Sequence, residues 1–369
     1  MNIKLVDLVR QNQRIKSELL PIIEEVIDSA EFVLGKSLEK FERNFASYCG
    51  KKYAIGVNSG TDALKLALIA YGIGESDEVI TVPNGYFSTA MVISQIGARP
   101  VFVDVNPQNY LIDENKLAKV LTSKTKAIVP VHLYGQAAEM DTIIGFAHKH
   151  DLIVIEDACQ AHGAKYKSKK VPYGETGVFS FYPGKNLGCF GDGGALVTDN
   201  PTIYDKILYL RNDGAKKKYS HKMFGFKSRL DNLQAAILGL KLSHLDKWNQ
   251  KRIENAYKYS QLLGELENIK IPKICHDRSH VYHLYVIECQ KRNALQEYLK
   301  KNGIETGIHY PIPIHLQKPY RDMGYKKGDF PITEEKASSV LSLPMFPELK
   351  EEELNFVVDK IKSFVKKNY

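Results

Sequence analysis

The chain has 369 residues, too many for one simple core and enough for two domains. Hydrophobic residues make up 44% and charged residues 25%, a globular balance that excludes a disordered or fibrous chain. The net charge of +8 is spread over lysines of the second half, as in Lys216-Lys-Lys218 and Lys366-Lys367, which argues against a concentrated nucleic-acid surface.

The five cysteines (Cys49, Cys159, Cys189, Cys275, Cys289) form no CxxC pair and read as reduced thiols, not as a disulfide framework or zinc site. Met1–Asp7 lacks the apolar core of a secretory signal, and no apolar run approaches the roughly 18 residues of a membrane span. The expectation is a cytoplasmic protein with no membrane or nucleic-acid partner.

Apolar residues at helical spacing predict a helix over 15–34, interrupted at Pro21, and a second over 37–48. A strand–helix alternation follows. Strands are predicted at 53–57, 78–82, 100–105, 127–131 and 152–157, with helices at 62–71, 88–96, 115–121 and 140–150 between them. Nearly continuous Val/Ile strands alternating with helices imply an α/β fold with a mostly parallel sheet covered on both faces. Further strands are expected at 178–182 and 195–198, then a long helical zone over 230–266. A strand at 283–287, a helix at 292–302, a Pro-rich loop at 308–315 and a helix at 351–366 complete the chain. The organisation expected is a helical segment over 1–48, a large domain over 49–245 and a smaller C-terminal α/β domain over 246–369.

In such sheets ligands sit beyond the carboxyl ends of the strands. After the first strand, Asn58-Ser-Gly-Thr-Asp62 leads straight into a helix. It suits a phosphate at a helix N-terminus, and equally suits a plain helix cap by Ser59 or Thr61. After the second strand, Tyr86 or Phe87 could stack on a flat ring or could be core. After the fifth, Glu156-Asp-Ala-Cys-Gln-Ala-His162 puts acids at a strand end. A carboxylate there could keep a pyridine nitrogen protonated, or could cap a helix. His162 has no matching metal-ligand neighbours and reads as structural. Then Pro183-Gly-Lys185 breaks a strand inside a glycine-rich run. A lysine so placed is a candidate Schiff-base residue. A phosphate-type helix start, an aromatic, a strand-end Asp and such a lysine, in that order, are all explained by one cofactor, pyridoxal 5'-phosphate (PLP).

These stretches, with Phe32–Gly35, Pro130–Gln136, Gly191–Gly194, Ser228–Ala236 and His309–His315, resemble the DegT–StrS sugar aminotransferases, which are fold-type-I PLP enzymes. The resemblance covers essentially the whole chain. It implies that Lys185 holds the cofactor covalently and then moves protons, and that Asp157 pairs with the pyridinium. Gln160 would bond the ring hydroxyl and Tyr86 stack on the ring. Gly60, Thr61 and Ser180 would bind the phosphate. It also implies a homodimer with shared sites, in which Lys227 and Arg229 reach the partner's cofactor. Lys227 stands where the family usually has Asn, and a lysine can meet phosphate as a point charge. Lys218, Tyr219, His221, His309, Tyr310 and His315 are candidates for binding the substrate.

The activity implied is transfer of an amino group from L-glutamate to a nucleotide-linked keto-sugar, as in the making of lipopolysaccharide, S-layer or antibiotic amino sugars. Pro183-Gly-Lys185 and Val131–Gly135 look most like relatives acting at C-3 of dTDP-3-keto-6-deoxyhexoses. The alternative is C-4 amination of a dTDP- or UDP-linked sugar. A nicotinamide oxidoreductase is disfavoured, because no GxGxxG joins the first strand and helix. A non-catalytic regulator on the same fold should lack Lys185 or Asp157, or carry a DNA-binding module.

Overall fold

The computed structural model describes residues 1–369. Two helices come first, α1 (Leu8–Ser29) and α2 (Lys36–Cys49). The sheet domain follows as β1 (Tyr53–Val57), α3 (Gly60–Ala70), β2 (Glu78–Thr81), α4 (Ser88–Gln95), β3 (Arg99–Phe102), α5 (Leu117–Val120), β4 (Thr125–Ile128), α6 (Met140–Lys149) and β5 (Ile153–Asp157). A small ribbon of β6 (Lys165–Tyr166) and β7 (Lys169–Lys170) precedes β8 (Thr176–Ser180), β9 (Gly194–Thr198) and α7 (Pro201–Leu210). A second ribbon, β10 (Ala215–Lys217) and β11 (Ser220–His221), leads to the long α8 (Asn232–Leu263). The rest is β12 (Tyr285–Glu288), α9 (Arg292–Lys301), α10 (Lys318–Asp322), α11 (Pro331–Ser339), β13 (Val340–Leu343) and α12 (Glu351–Asn368).

The main sheet has seven strands in the order β1-β9-β8-β5-β4-β2-β3. Strands β8, β5, β4, β2 and β3 run parallel, and β9 lies antiparallel between β1 and β8. The α/β class expected from the strand–helix rhythm is therefore what forms. Successive residues feed opposite faces: Val178 packs with Leu196, Ile207 and Leu68, whereas Phe179 packs with Phe45, Leu238 and Val197. Both faces are apolar because helices cover both.

Helix α8 joins two cores. Ala235, Leu238 and Leu245 pack against the sheet, while Ala256, Tyr259 and Leu263 pack with β12, β13 and α12. Between them the buried Arg252 guanidinium donates to the carbonyls of Tyr282 (3.1 Å) and Met345 (2.9 Å). Burial lowers its pKa to about 10.

One expectation is corrected. Pro21 does not interrupt the first helix; α1 runs unbroken through it, because Ile15 and Leu19 pack on Ile237 and Trp248 and Val26 is buried beyond it. A proline removes one hydrogen bond, and burial on both sides outweighs that loss. The helix expected at 115–121 forms as a 3-10 turn over Glu114–Lys116 that runs directly into α5. Strand β13 gave no sequence signal that we read, yet it pairs with all of β12.

A buried ion pair within the C-terminal part is tied to the sheet domain by Tyr110. Lys336 Nζ donates to both Glu288 oxygens (2.9 and 3.0 Å), and Tyr110 OH donates to the same carboxylate (2.8 Å). Removing Lys336 leaves the buried Glu288 carboxylate with only Tyr110 and the largely exposed Lys270, 3.6 Å away, to compensate it. Lys336→Met is therefore expected to lower unfolding free energy by about 3–5 kcal/mol, read from denaturant melts.

Candidate active site

A cavity of about 690 Å³ opens at the carboxyl ends of the parallel strands. Strand ends supply its floor. Ser59, Gly60 and Thr61 follow β1, Tyr86 and Ser88 follow β2, Asp157 and Gln160 end β5, and Ser180, Tyr182 and Lys185 follow β8. His283, Leu284, Ile308, His309 and Tyr310 close it from the C-terminal part.

Helix α3 starts here because Ser59 caps it, its Oγ accepting the Asp62 N–H at 3.1 Å. Both readings of this stretch hold together: Ser59 is the cap, and the helix N-terminus still faces the cavity. Glycine is needed at two points of this cradle. A Cβ on Gly60 would lie 2.7 Å from Ser180 Cβ and 2.8 Å from Cys159 Sγ. A Cβ on Gly194 would lie 2.3 Å from the Ser59 carbonyl carbon. In the glycine-rich run after Lys185, Gly188 and Gly194 are packed against backbone, while Gly184, just before the lysine, lines the cavity.

Asp157 is 6% exposed. One carboxylate oxygen accepts the Thr89 hydroxyl (2.8 Å) and the other the Cys159 N–H (3.1 Å). Thr89 lies in the first turn of α4, so two elements hold the carboxylate. Lys185 follows the Pro183-Gly184 turn, with its N–H donating to the Tyr182 carbonyl (2.8 Å). Burial lowers the pKa of its amine, with Cys159 and Asp157 acting in the opposite direction. The neutral, nucleophilic amine is thereby favoured. Gln160 is held at both ends: its Oε1 accepts the Tyr134 N–H (2.9 Å) and its Nε2 donates to Tyr310 OH (3.1 Å). Tyr134 OH in turn donates to the His309 carbonyl. Tyr86 stands at the mouth, 60% exposed, with its ring 6.2 Å from that of Tyr310.

A buried carboxylate, a buried amine, hydroxyls and a helix N-terminus make a donor set that fits a planar pyridine bearing a phosphate. Asp157 would meet the ring nitrogen, Lys185 the reactive carbon, and Ser59 to Thr61 with Ser180 the phosphate. Tyr86 is free to cover the ring.

The other candidates divide. His309 and Tyr310 line the cavity. His315 does not. Its ring is fully buried, bonded to Glu334 (3.0 Å) and packed edge-on against Phe330, 4.8 Å away. The apolar cluster around Tyr320 pulls it from the site, so the substrate-binding expectation for His315 is corrected to a structural one. Lys218, Tyr219 and His221 sit on the exposed β10–β11 ribbon, outside this cavity. Lys227 pairs with Asp213 (3.6 Å) and Arg229 donates to Asn212 (3.0 Å), also outside it. Sequence reasoning missed Thr89, His283, Asp192, Leu5 and Val6, all of which line the cavity. Thr89 was within reach of the strand-end rule. Asp192 lies in the Gly191–Gly194 stretch already singled out; His283, Leu5 and Val6 come from distant segments and carried no local signal.

Two buried histidines report on acid stability. Burial pushes His162, packed against Phe179 and Phe181, down to about 3, and burial together with Lys185 pushes His309 down to about 4. Both are below the unfolded value of 6.5, so the unfolded chain binds more protons. The stability they contribute is full above about pH 6.5 and is lost as pH falls toward 4 and 3. Melting temperature is expected to drop steadily below pH 6.5, and His162→Phe to flatten that slope.

Comparison with known proteins follows from this geometry. The model of the DegT/DnrJ/EryC1/StrS aminotransferase family matches residues 13–362. A Geobacillus stearothermophilus protein named pleiotropic regulatory protein is 46% identical over 99% of each chain. The dTDP-3-amino-3,6-dideoxy-alpha-D-galactopyranose transaminase of Aneurinibacillus thermoaerophilus is 46% identical over 98% of this chain and 99% of its own. Among solved structures, Streptomyces venezuelae DesV in complex with a ketimine intermediate superposes with a TM-score of 0.98, at 41% identity and 99% coverage of both chains. The chain therefore belongs to the DegT/DnrJ/EryC1/StrS family and is a PLP-dependent aminotransferase.

Proposed function

We propose that the protein transfers an amino group from L-glutamate to C-3 of a nucleotide-linked 3-keto-6-deoxyhexose, carried on dTDP. The convergence of Asp157 and Lys185 in one cavity carries the aminotransferase chemistry. PLP, when bound, supplies a carbonyl carbon for amine exchange and a ring that withdraws electrons. Asp157, fixed by Thr89 and the Cys159 N–H, keeps the ring nitrogen protonated. Lys185 Nζ would hold the cofactor and, once released, would move a proton between the donor Cα and the cofactor carbon that bears the exchanged nitrogen. Gly60, Thr61 and Ser180 bind the phosphate. Gln160 bonds the ring hydroxyl while sharing its amide with Tyr310. His309 and Tyr310 face the sugar.

The working unit in this reading is a homodimer. Phe224 is fully exposed and Tyr219 is 84% exposed on the segment between α7 and α8, an apolar surface that a second copy would cover. Lys227 and Arg229 would then meet the partner's cofactor phosphate, and Lys218, Tyr219 and His221 its nucleotide diphosphate. Support for C-3 comes from Pro183-Gly-Lys185, from Val131–Gly135, and from the 3-amino sugar in the name of the Aneurinibacillus relative. A relative named as a regulator does not alter this reading, since Lys185 and Asp157 are both present here.

The test is an absorbance titration. The purified protein should show a visible band that glutamate bleaches and that only the 3-keto sugar restores. Restoration by the 4-keto isomer alone would move the amination to C-4. Failure of glutamate to bleach the band would overturn the donor.

A further inference from the structure

The amino terminus forms one wall of the active-site cavity. Residues 3–6 run as a strap along residues 303–305. Ile3 N–H donates to the Gly303 carbonyl (2.8 Å), Glu305 N–H to the Ile3 carbonyl (2.8 Å) and Met345 N–H to the Leu5 carbonyl (3.1 Å). Ile3 is buried in the C-terminal core. At the other end Asp7 caps α1 through the Arg10 N–H (3.0 Å), and Arg10 forks onto Glu353 (2.8 and 2.9 Å). Leu5 and Val6 hang between these anchors and line the cavity beside Ile308. The strap lies close: a Cβ on Gly307 would stand 3.0 Å from Leu5 Cδ2.

This wall differs from the cofactor side. There the lining is Ser59, Thr61, Asp157 and Ser180; here Leu5, Val6, Leu284 and Ile308 make an aliphatic patch beside His283, His309 and Tyr310. On a 3-keto-6-deoxyhexose the ring carbons carry oxygen or the reacting carbonyl, and the C-6 methyl is the one purely apolar substituent. We propose that Leu5 and Val6 are specificity-determining residues that seat this methyl and disfavour a C-6 hydroxyl or carboxylate. The inference rests on the keto-sugar reading above.

The experiment compares kcat/KM of the PLP-loaded enzyme for a nucleotide-linked 3-keto-6-deoxyhexose and its 6-hydroxy counterpart. Wild type should favour the 6-deoxy sugar by roughly 10–100-fold, the range an apolar pocket achieves against one added hydroxyl. Leu5→Asn and Val6→Thr should each narrow that ratio by about fivefold or more. Val6→Thr keeps the side-chain shape and serves if Leu5→Asn fails to fold. A wild-type preference with ratios unchanged in both variants overturns the strap and leaves the substrate reading intact. A wild-type preference for the 6-hydroxy sugar overturns the strap alone. Turnover of neither keto-sugar overturns the substrate reading and the strap with it.

Discussion

Lys185→Ala should lower turnover by roughly 10²–10⁴-fold, the range of a positioned proton-transfer group. The loss should fall on both half-reactions, because one Nζ is proposed to carry the proton in each direction. The purified variant should also lack the visible band of the wild type, since no other cavity-lining residue is a lysine. Single-turnover absorbance after adding PLP and glutamate separates the two effects. A variant that still turns over at near wild-type rate would remove Lys185 from the chemistry. Stability should change little or rise, because a buried amine is being replaced by a small apolar group.

Asp157→Asn should lower turnover by about 10²–10³-fold, the size of effect seen when one aimed electrostatic partner is lost. Asn keeps the shape and still accepts the Thr89 hydroxyl, so the fold should survive. The cofactor-free variant should melt no lower than cofactor-free wild type, since a buried carboxylate without a cation is itself costly. Activity and apo stability therefore move in different directions. If turnover falls only in proportion to PLP affinity, Asp157 binds the cofactor without tuning its ring.

Much of the site was legible because its signals are local. Lys185 follows a strand-breaking Pro183-Gly184, and Asp157 ends an Ile/Val strand. Ser59-Gly-Thr61 opens a helix straight after β1. Each of these is a matter of a few neighbouring residues. His315 misled because the Pro-rich run 308–315 reads as one loop, although only its first part turns toward the cavity. The hold of Tyr134 and Tyr310 on both ends of the Gln160 amide was not legible, because both partners lie far from it in the chain.

The sequence by itself determined the strand–helix rhythm, the two-faced burial of the sheet and the strand-end placement of Lys185 and Asp157. Apolar runs and turn residues act over a few positions, and those are the interactions a sequence displays. The tertiary structure alone decided that β9 slots antiparallel between β1 and β8, which brings Gly194 against Ser59. It alone carried α1 through Pro21, turned Thr89 onto Asp157, and laid Leu5 and Val6 along the cavity some 300 residues before their partners at 303–308. Those outcomes depend on burial and hydrogen bonds between segments far apart in the chain, whose closure no local pattern encodes.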